Sequence, residues 1–265
     1  MQGILWVVHT QSPWAEGPWK PHRSVAPVMV PGSVTVVHVA PGGRRVVSSV
    51  GEAADQPYED ASPVRAIPAY RGQRSLPGWW WSATTGGHVV FESWVERHHI
   101  MEFDRAAGVA GMAGQPFALV WAEGLKRRSH VPDLFVRYAD GRAVVIDCRP
   151  VDLADEAFYE VATVTAGVCE RIGWEYLLAG EPEPVRAANL RWLAGYRRRY
   201  VRVVSIADRL LAAASSPVPL LELAESVGDP IAVLPTLFHL LWAGGLRVDL
   251  SRPLRDESLV GIADV

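Results

Sequence analysis

One short stretch constrains this chain more than any other: the apolar run Val131 to Tyr138, the turn Ala139, Asp140, Gly141, and the β-branched run Ala143 to Asp147. Strand-forming residues on both sides of an Asp-Gly turn spell an antiparallel hairpin. If the loop is residues 139 to 141, the ladder pairs Tyr138 with Arg142 and, counting outward, sets Asp133 opposite Asp147 on the same face. Like charges facing across a ladder destabilise it by about 0.2–1 kcal/mol, and by more when desolvated, so the pair calls for a cation. Arg149 lies two residues beyond Asp147 and therefore on that face too. Two carboxylates beside a base suit a hard divalent ion, Mg2+ or Mn2+, together with the phosphate it holds.

The flanks read as an α/β arrangement. Val90 to Met101 is expected to be a helix, with Phe91, Trp94, Val95 and His98 on its buried stripe and Glu92 and Glu96 one turn apart on another face. A strand at Phe117 to Trp121 precedes the hairpin. After it, Phe158, Val161, Thr165, Val168 and Ile172 recur at helical spacing up to Gly173, and Trp174 to Leu178 reads as a further strand. The order is helix, three strands, helix, strand. Ahead of it, residues 1–62 form a Pro-, Gly- and Ser-rich lead-in with strand-like runs at Ser33 to Val39 and Arg44 to Ser49. The Trp79 to Trp81 run is expected to pack onto the core, with base stacking or partner binding as the alternative.

Beyond residue 200 the pattern changes. Ser205 is placed to cap a helix running to Ala214, residues 219–227 form a second short helix closed at Gly228, and Ile231 to Trp242 form a third. Residues 246–250 and 257–262 then suggest a wing, so residues 201–265 read as a winged-helix-like domain. Its third helix offers Thr236 and His239 to a partner surface but no Arg or Lys, which suits protein binding better than reading of a DNA groove.

Composition narrows the function classes. A net charge of −3 argues against coating of nucleic acid by bulk attraction, so any DNA grip must be local. Lys126, Arg127 and Arg128, beside the acidic hairpin, are the best candidates for backbone contact, with Arg197, Arg198, Arg199 and Arg202 a second basic run. No apolar run approaches the roughly 20 residues of a membrane span, no secretory signal opens the chain, and Cys148 and Cys169 are its only cysteines, which together point to the cytoplasm. Histidines lack zinc-ligand spacing, with His98 and His99 expected as surface and core. No phosphate-cradling glycine loop or nucleophile elbow appears.

Five motifs carry a family resemblance: PheGluSerTrpValGluArg (91–97), GlyGlnProPhe (114–117), HisValProAsp (130–133), AspGlyArg (140–142) and IleAspCysArgPro (146–150). Their order and spacing, over about residues 65 to 200, resemble the TnsA-like endonuclease subunits of heteromeric transposases, within the restriction-endonuclease-like superfamily. The resemblance implies a mixed sheet flanked by helices over residues 63–200 and a winged-helix C-terminal domain. It implies catalytic positions at Glu96, Asp133, Asp147 and Arg149, with the first three as metal ligands. Glu96 is preferred to Glu92 because it stands about two turns before Asp104, as the family glutamate does before its acid-rich helix end. Glu92 and Gln115 would brace the site, and His130 would touch phosphate or a ligand. The implied activity is Mg2+-dependent cleavage of one DNA strand at mobile-element ends, in a complex with a transposase subunit and an ATPase regulator. The pattern departs at Arg149, where the family has lysine: arginine keeps the charge but cannot surrender its proton. Two alternatives stand beside the nuclease, a silent nuclease-fold scaffold and a winged-helix DNA-binding regulator.

Overall fold

The computed structural model describes residues 19–23, 25, 34–66 and 76–262. In chain order the elements are β1 (Trp19–Pro21), β2 (Thr35–Val39), β3 (Arg45–Ser49), α1 (Val50–Ala53), β4 (Gly78–Trp81), β5 (His88–Phe91), α2 (Trp94–Arg105), β6 (Val109–Gly114), β7 (Phe117–Glu123), β8 (Lys126–His130), β9 (Leu134–Tyr138), β10 (Ala143–Cys148), α3 (Glu156–Arg171), β11 (Glu175–Pro182), α4 (Pro184–Leu193), α5 (Val204–Ala213), β12 (Val218–Pro219), α6 (Leu220–Val227), α7 (Pro230–Trp242), β13 (Leu246–Val248) and β14 (Leu259–Ile262). The class is mixed α/β. The chain divides into two compact units, residues 1–100 with 108–181, and residues 101–107 with 182–265.

The first unit holds a five-stranded sheet in the order β1-β11-β10-β9-β6 and a four-stranded sheet in the order β3-β2-β7-β8. The hairpin read in the sequence is its centre. Ala143 pairs with Arg137, Val145 with Phe135 and Ile146 with Leu134, which is the register inferred from the turn. Gly141, at φ 91, and the bond from the Arg142 amide to Asp140 Oδ1 (3.0 Å) set that turn. β11 lies parallel to β10, with Val145 opposite Tyr176 and Asp147 opposite Leu178. Parallel neighbours need a crossover, and α3 supplies it. Asp155 caps α3 by accepting from the Phe158 amide (2.8 Å), and Gly173, at φ 75, lets the chain leave it.

Alternation along the strands decides what the hairpin faces. Phe135 and Val145, both fully buried, join Tyr58, Phe117, Leu119, Val168 and Trp174 in one core, with ring centroids 5.2 Å apart for Phe135 and Trp174 and 4.8 Å for Tyr58 and Phe117. Burial of each large ring contributes about 2–3 kcal/mol. Asp133 and Asp147 share the parity of Phe135 and Val145, so they close one end of this core face.

Several expectations need correction. Residues 34–62 are no separate lead-in, because β2 pairs with β7, and Val37 lies opposite Ala118. The unit boundary falls at residue 182, ahead of α4, rather than at 201. The helix expected from Val90 begins at Trp94, since Val90 and Phe91 are strand residues opposite Trp79 and Gly78. Ser93 supplies the physical reason, its hydroxyl accepting from the Glu96 amide (3.2 Å) and so starting the helix there. β6 and β8 were not foreseen as strands. β6 is rich in Gly and Ala, β8 is polar, and neither carries the apolar alternation by which strands are recognised.

In the second unit, α5, α6 and α7 accompany a three-stranded antiparallel sheet in the order β12-β14-β13. Asp229 caps α7 through the Ile231 amide (3.0 Å). Ser205 does not cap α5: the N-cap position is Val203, whose amide is bound by Thr236 Oγ1 (3.1 Å). The Arg186 guanidinium makes a two-pronged contact to the buried Glu102 carboxylate at 2.6 and 2.9 Å.

Candidate active site

Asp133 precedes the first paired residue of β9, and Asp147 is the penultimate residue of β10. The paired register ends at Leu134 and Ile146; the Asp133 amide donates to the Ile146 carbonyl (3.1 Å), so Asp133 stands at the ladder end, its carboxylate on the Cys148 amide next to Asp147. Asp147 has one oxygen held and one left over, and Asp133 has one oxygen held. Asp133 Oδ2 accepts from the Cys148 amide at 2.7 Å. Asp147 Oδ2 is bonded to His130 Nε2 at 2.8 Å and accepts from the Tyr176 hydroxyl at 2.5 Å. Asp147 Oδ1 is buried and has no hydrogen-bond partner among the described residues, in a residue only 2% exposed. An orphaned buried carboxylate oxygen costs free energy unless something positive meets it.

The electrostatics agree with that reading. Burial, then the charges of Glu96 and Asp147, push the Asp133 carboxyl well above the usual carboxylate range. Burial likewise raises Glu96, against hydrogen bonds from the Glu92 amide and Ser93. Burial and the Asp147 charge push the Tyr176 hydroxyl up, and burial and the Asp133 charge do the same to the Cys148 thiol. A buried carboxyl raised by neighbouring acids is favoured by a nearby positive charge.

Glu96 and Arg149 depart from their expected places. The Glu96 carboxylate accepts from the Glu92 amide at 2.7 Å while its own amide is bound by Ser93, so it serves the start of α2 in the manner of a capping box. Among the described residues, no three His, Cys, Asp or Glu side chains are grouped to hold a metal ion. The Glu96 charge is nevertheless the largest charge effect on Asp133. Arg149 is exposed, donates to the Leu153 carbonyl at 3.1 Å and lies 5.8 Å over the Phe158 ring. Residue parity puts it on the acidic face, but a long side chain takes the nearest free carbonyl. The base paired within the acidic neighbourhood is instead Arg65, 2.9 Å from Glu92. Glu92 precedes the helix, so it does not share a helical face with Glu96.

Gln115 braces the site through its backbone. It has a left-handed φ of 52, donates its amide to the Asp133 carbonyl (3.0 Å) and accepts from the Val64 amide (3.0 Å). Its buried side-chain amide has no partner on either atom among the described residues, a costly state that calls for an explanation. Lys126, Arg127 and Arg128 are exposed on β8, the edge of the four-stranded sheet, with Arg128 held by Glu123 at 2.6 Å. His130, at the end of the same strand, turns to Asp147. His98 and His99 are both buried, which corrects the expectation of one surface histidine. The tryptophan run divides by alternation: Trp80 is buried and Trp79 exposed, and the Arg97 guanidinium stands 5.5 Å from the Trp80 ring and 4.8 Å from that of Trp94.

Sequence reasoning missed Tyr176 and the Cys148 amide. Tyr176 comes to Asp147 from the parallel neighbour of β10, and nothing in the sequence sets the register across a helical crossover. The remaining signal, a tyrosine within an otherwise apolar strand, is weak.

No protein-family model matches the chain, and no curated protein matches it.

Proposed function

We propose that this chain is a divalent-metal-dependent DNA endonuclease, the strand-cutting subunit of a heteromeric transposase. The observation that carries this reading is the pair of acids at the end of a buried hairpin, Asp133 held by the Cys148 amide and Asp147 with one oxygen engaged and one unengaged among the described residues. The donor set suits Mg2+ or Mn2+, which bind through one or two carboxylates and leave their other positions to water and phosphate. When bound, such an ion polarises the scissile phosphate and lowers the pKa of the attacking water. The chain's own part is to hold the two carboxylates rigid and to bring DNA to them. Lys126 and Arg127, exposed on the edge strand that leads to His130, are placed for phosphate contact. In this reading the first unit is a restriction-endonuclease-like core and the second a winged-helix-like module for the transposase and ATPase partners.

The DNA-binding regulator is the weaker reading. On α7, Thr236 donates to the Val201 carbonyl (3.3 Å) and His239 Nδ1 is bonded to the Tyr196 carbonyl (2.8 Å), so both are used inside the second unit. The silent scaffold has more in its favour, because Arg149 is tied to Leu153 and Glu96 caps its own helix. A nicking assay separates the two. Element-end DNA, the partner transposase and its regulator are combined with wild type or Asp133→Ala, in Mg2+ or in EDTA. The endonuclease reading expects Mg2+-dependent nicking that Asp133→Ala abolishes, with poor cutting by the isolated chain. Full strand release by Asp133→Ala at normal protein levels would leave only the scaffold.

A further inference from the structure

The two unforeseen contacts to Asp147 have a consequence for which oxygens can meet a cation. Oδ2 of Asp147 receives the Tyr176 hydroxyl at 2.5 Å and, with the proton on Nε2, the His130 ring at 2.8 Å. Two donors on one oxygen saturate it, and they approach from different elements, β11 and the end of β8. The carboxylate plane is thereby fixed, and Oδ1 is the one oxygen left without a partner among the described residues. On Asp133 a single donor, the Cys148 amide, holds Oδ2 at 2.7 Å, which leaves Oδ1 as the oxygen not bonded to it.

We infer that Tyr176 and His130 are positioning residues that orient Asp147 so that a divalent cation is met by Oδ1 of Asp147 and Oδ1 of Asp133, one oxygen from each carboxylate. This rests on the metal-dependent reading above and adds the device that builds the site. Partners that fix the orientation of a ligand carboxylate matter because a ligand free to rotate must be ordered at the moment of binding, and their loss typically weakens metal binding about 10–100-fold. Saturation of Oδ2 also disfavours chelation by both oxygens of Asp147, which suits the small octahedral Mg2+ better than a larger ion that accepts bidentate carboxylates. His130 thus acts through Asp147 rather than on phosphate, and the DNA-contact role falls to its exposed neighbours on β8.

The test is Mn2+ binding to the full chain, followed by calorimetry and by the electron paramagnetic resonance of the free ion, with thermal unfolding in EDTA recorded for every variant. Tyr176→Phe removes one donor and keeps the ring. His130→Ala removes the other, and His130→Gln restores a side-chain donor. The expected result is saturable binding by wild type, loss of it in Asp133→Asn, an approximately 10–100-fold higher Kd in Tyr176→Phe and His130→Ala, and partial recovery in His130→Gln. A purely structural role would lower the unfolding temperature and leave the Kd where it was. Affinities of Tyr176→Phe and His130→Ala close to wild type, with Asp133→Asn still inactive in binding, overturn the positioning role and leave the metal reading intact. Absence of saturable Mn2+ binding by the wild-type chain overturns both.

Discussion

Replacing Asp133 by asparagine should stabilise the metal-free protein, and the gain should depend on pH. The Asp147 charge acts on Asp133 at the end of the ladder, and neighbouring side chains across a ladder have origins about 5 Å apart. Two unit charges at that separation repel by about 3 kcal/mol at an effective dielectric constant of about 20. Glu96 acts on Asp133 in the same direction. The bond from the Cys148 amide opposes it, but an asparagine carbonyl can accept that bond as well, so it cancels from the comparison. The net gain is on the order of 1–3 kcal/mol, about 2–4 °C of unfolding temperature for each kcal/mol in a unit of this size. The sign with pH follows from the direction of the shift. A carboxyl whose pKa is raised in the folded state leaves stability intact below its unfolded value near about 4, and stability is lost as pH rises through the folded value. Asparagine does not titrate, so its advantage should be absent at about pH 4 and grow towards pH 8. Urea unfolding in EDTA at the two pH values measures it, and saturating Mn2+ should reverse the order because only wild type gains from the ion. A difference that is the same at both pH values, or an asparagine variant less stable at pH 8, would refute the reasoning.

The other expectations are narrower. Asp133→Ala should abolish Mg2+-dependent nicking in the assembled complex, read on labelled element-end DNA, and Tyr176→Phe should weaken Mn2+ binding as described. Arg149→Ala and Arg149→Lys should each change nicking by no more than about twofold, the scale of an exposed surface side chain, since its Nε is held by the Leu153 carbonyl. A loss of about 10²–10³-fold in Arg149→Ala would instead return it to the catalytic group. Gly114→Ala should destabilise the protein by about 3 kcal/mol in urea unfolding, because the added Cβ would stand 2.2 Å from the Val90 carbonyl oxygen.

How much of this was legible in the sequence varies with the range of the interaction. The register of the hairpin as far as Leu134 and Ile146 could be derived before any coordinates, because a three-residue turn sets the register of a hairpin and side-chain direction has period two. The α3 helix, its stop at Gly173 and the helices α5, α6 and α7 of the second unit were legible for the same local reason: periodicity, caps and left-handed glycines act within a few residues. Position along the chain, however, does not say where a long side chain will end. Arg149 has the right parity and bonds to Leu153, and Glu96 is near the acids but spends its carboxylate on the Glu92 amide. The partners of Asp147 depend on β11 lying parallel to β10 at one particular register, and those of the core depend on β2 joining β7 across many residues of intervening chain. The sequence by itself determined the hairpin and the two carboxylates at its end, through local backbone geometry. Only the tertiary structure decided which oxygen of each carboxylate is held, because that choice is made by Tyr176, His130 and the Cys148 amide, brought together by long-range strand pairing and burial rather than by spacing along the chain.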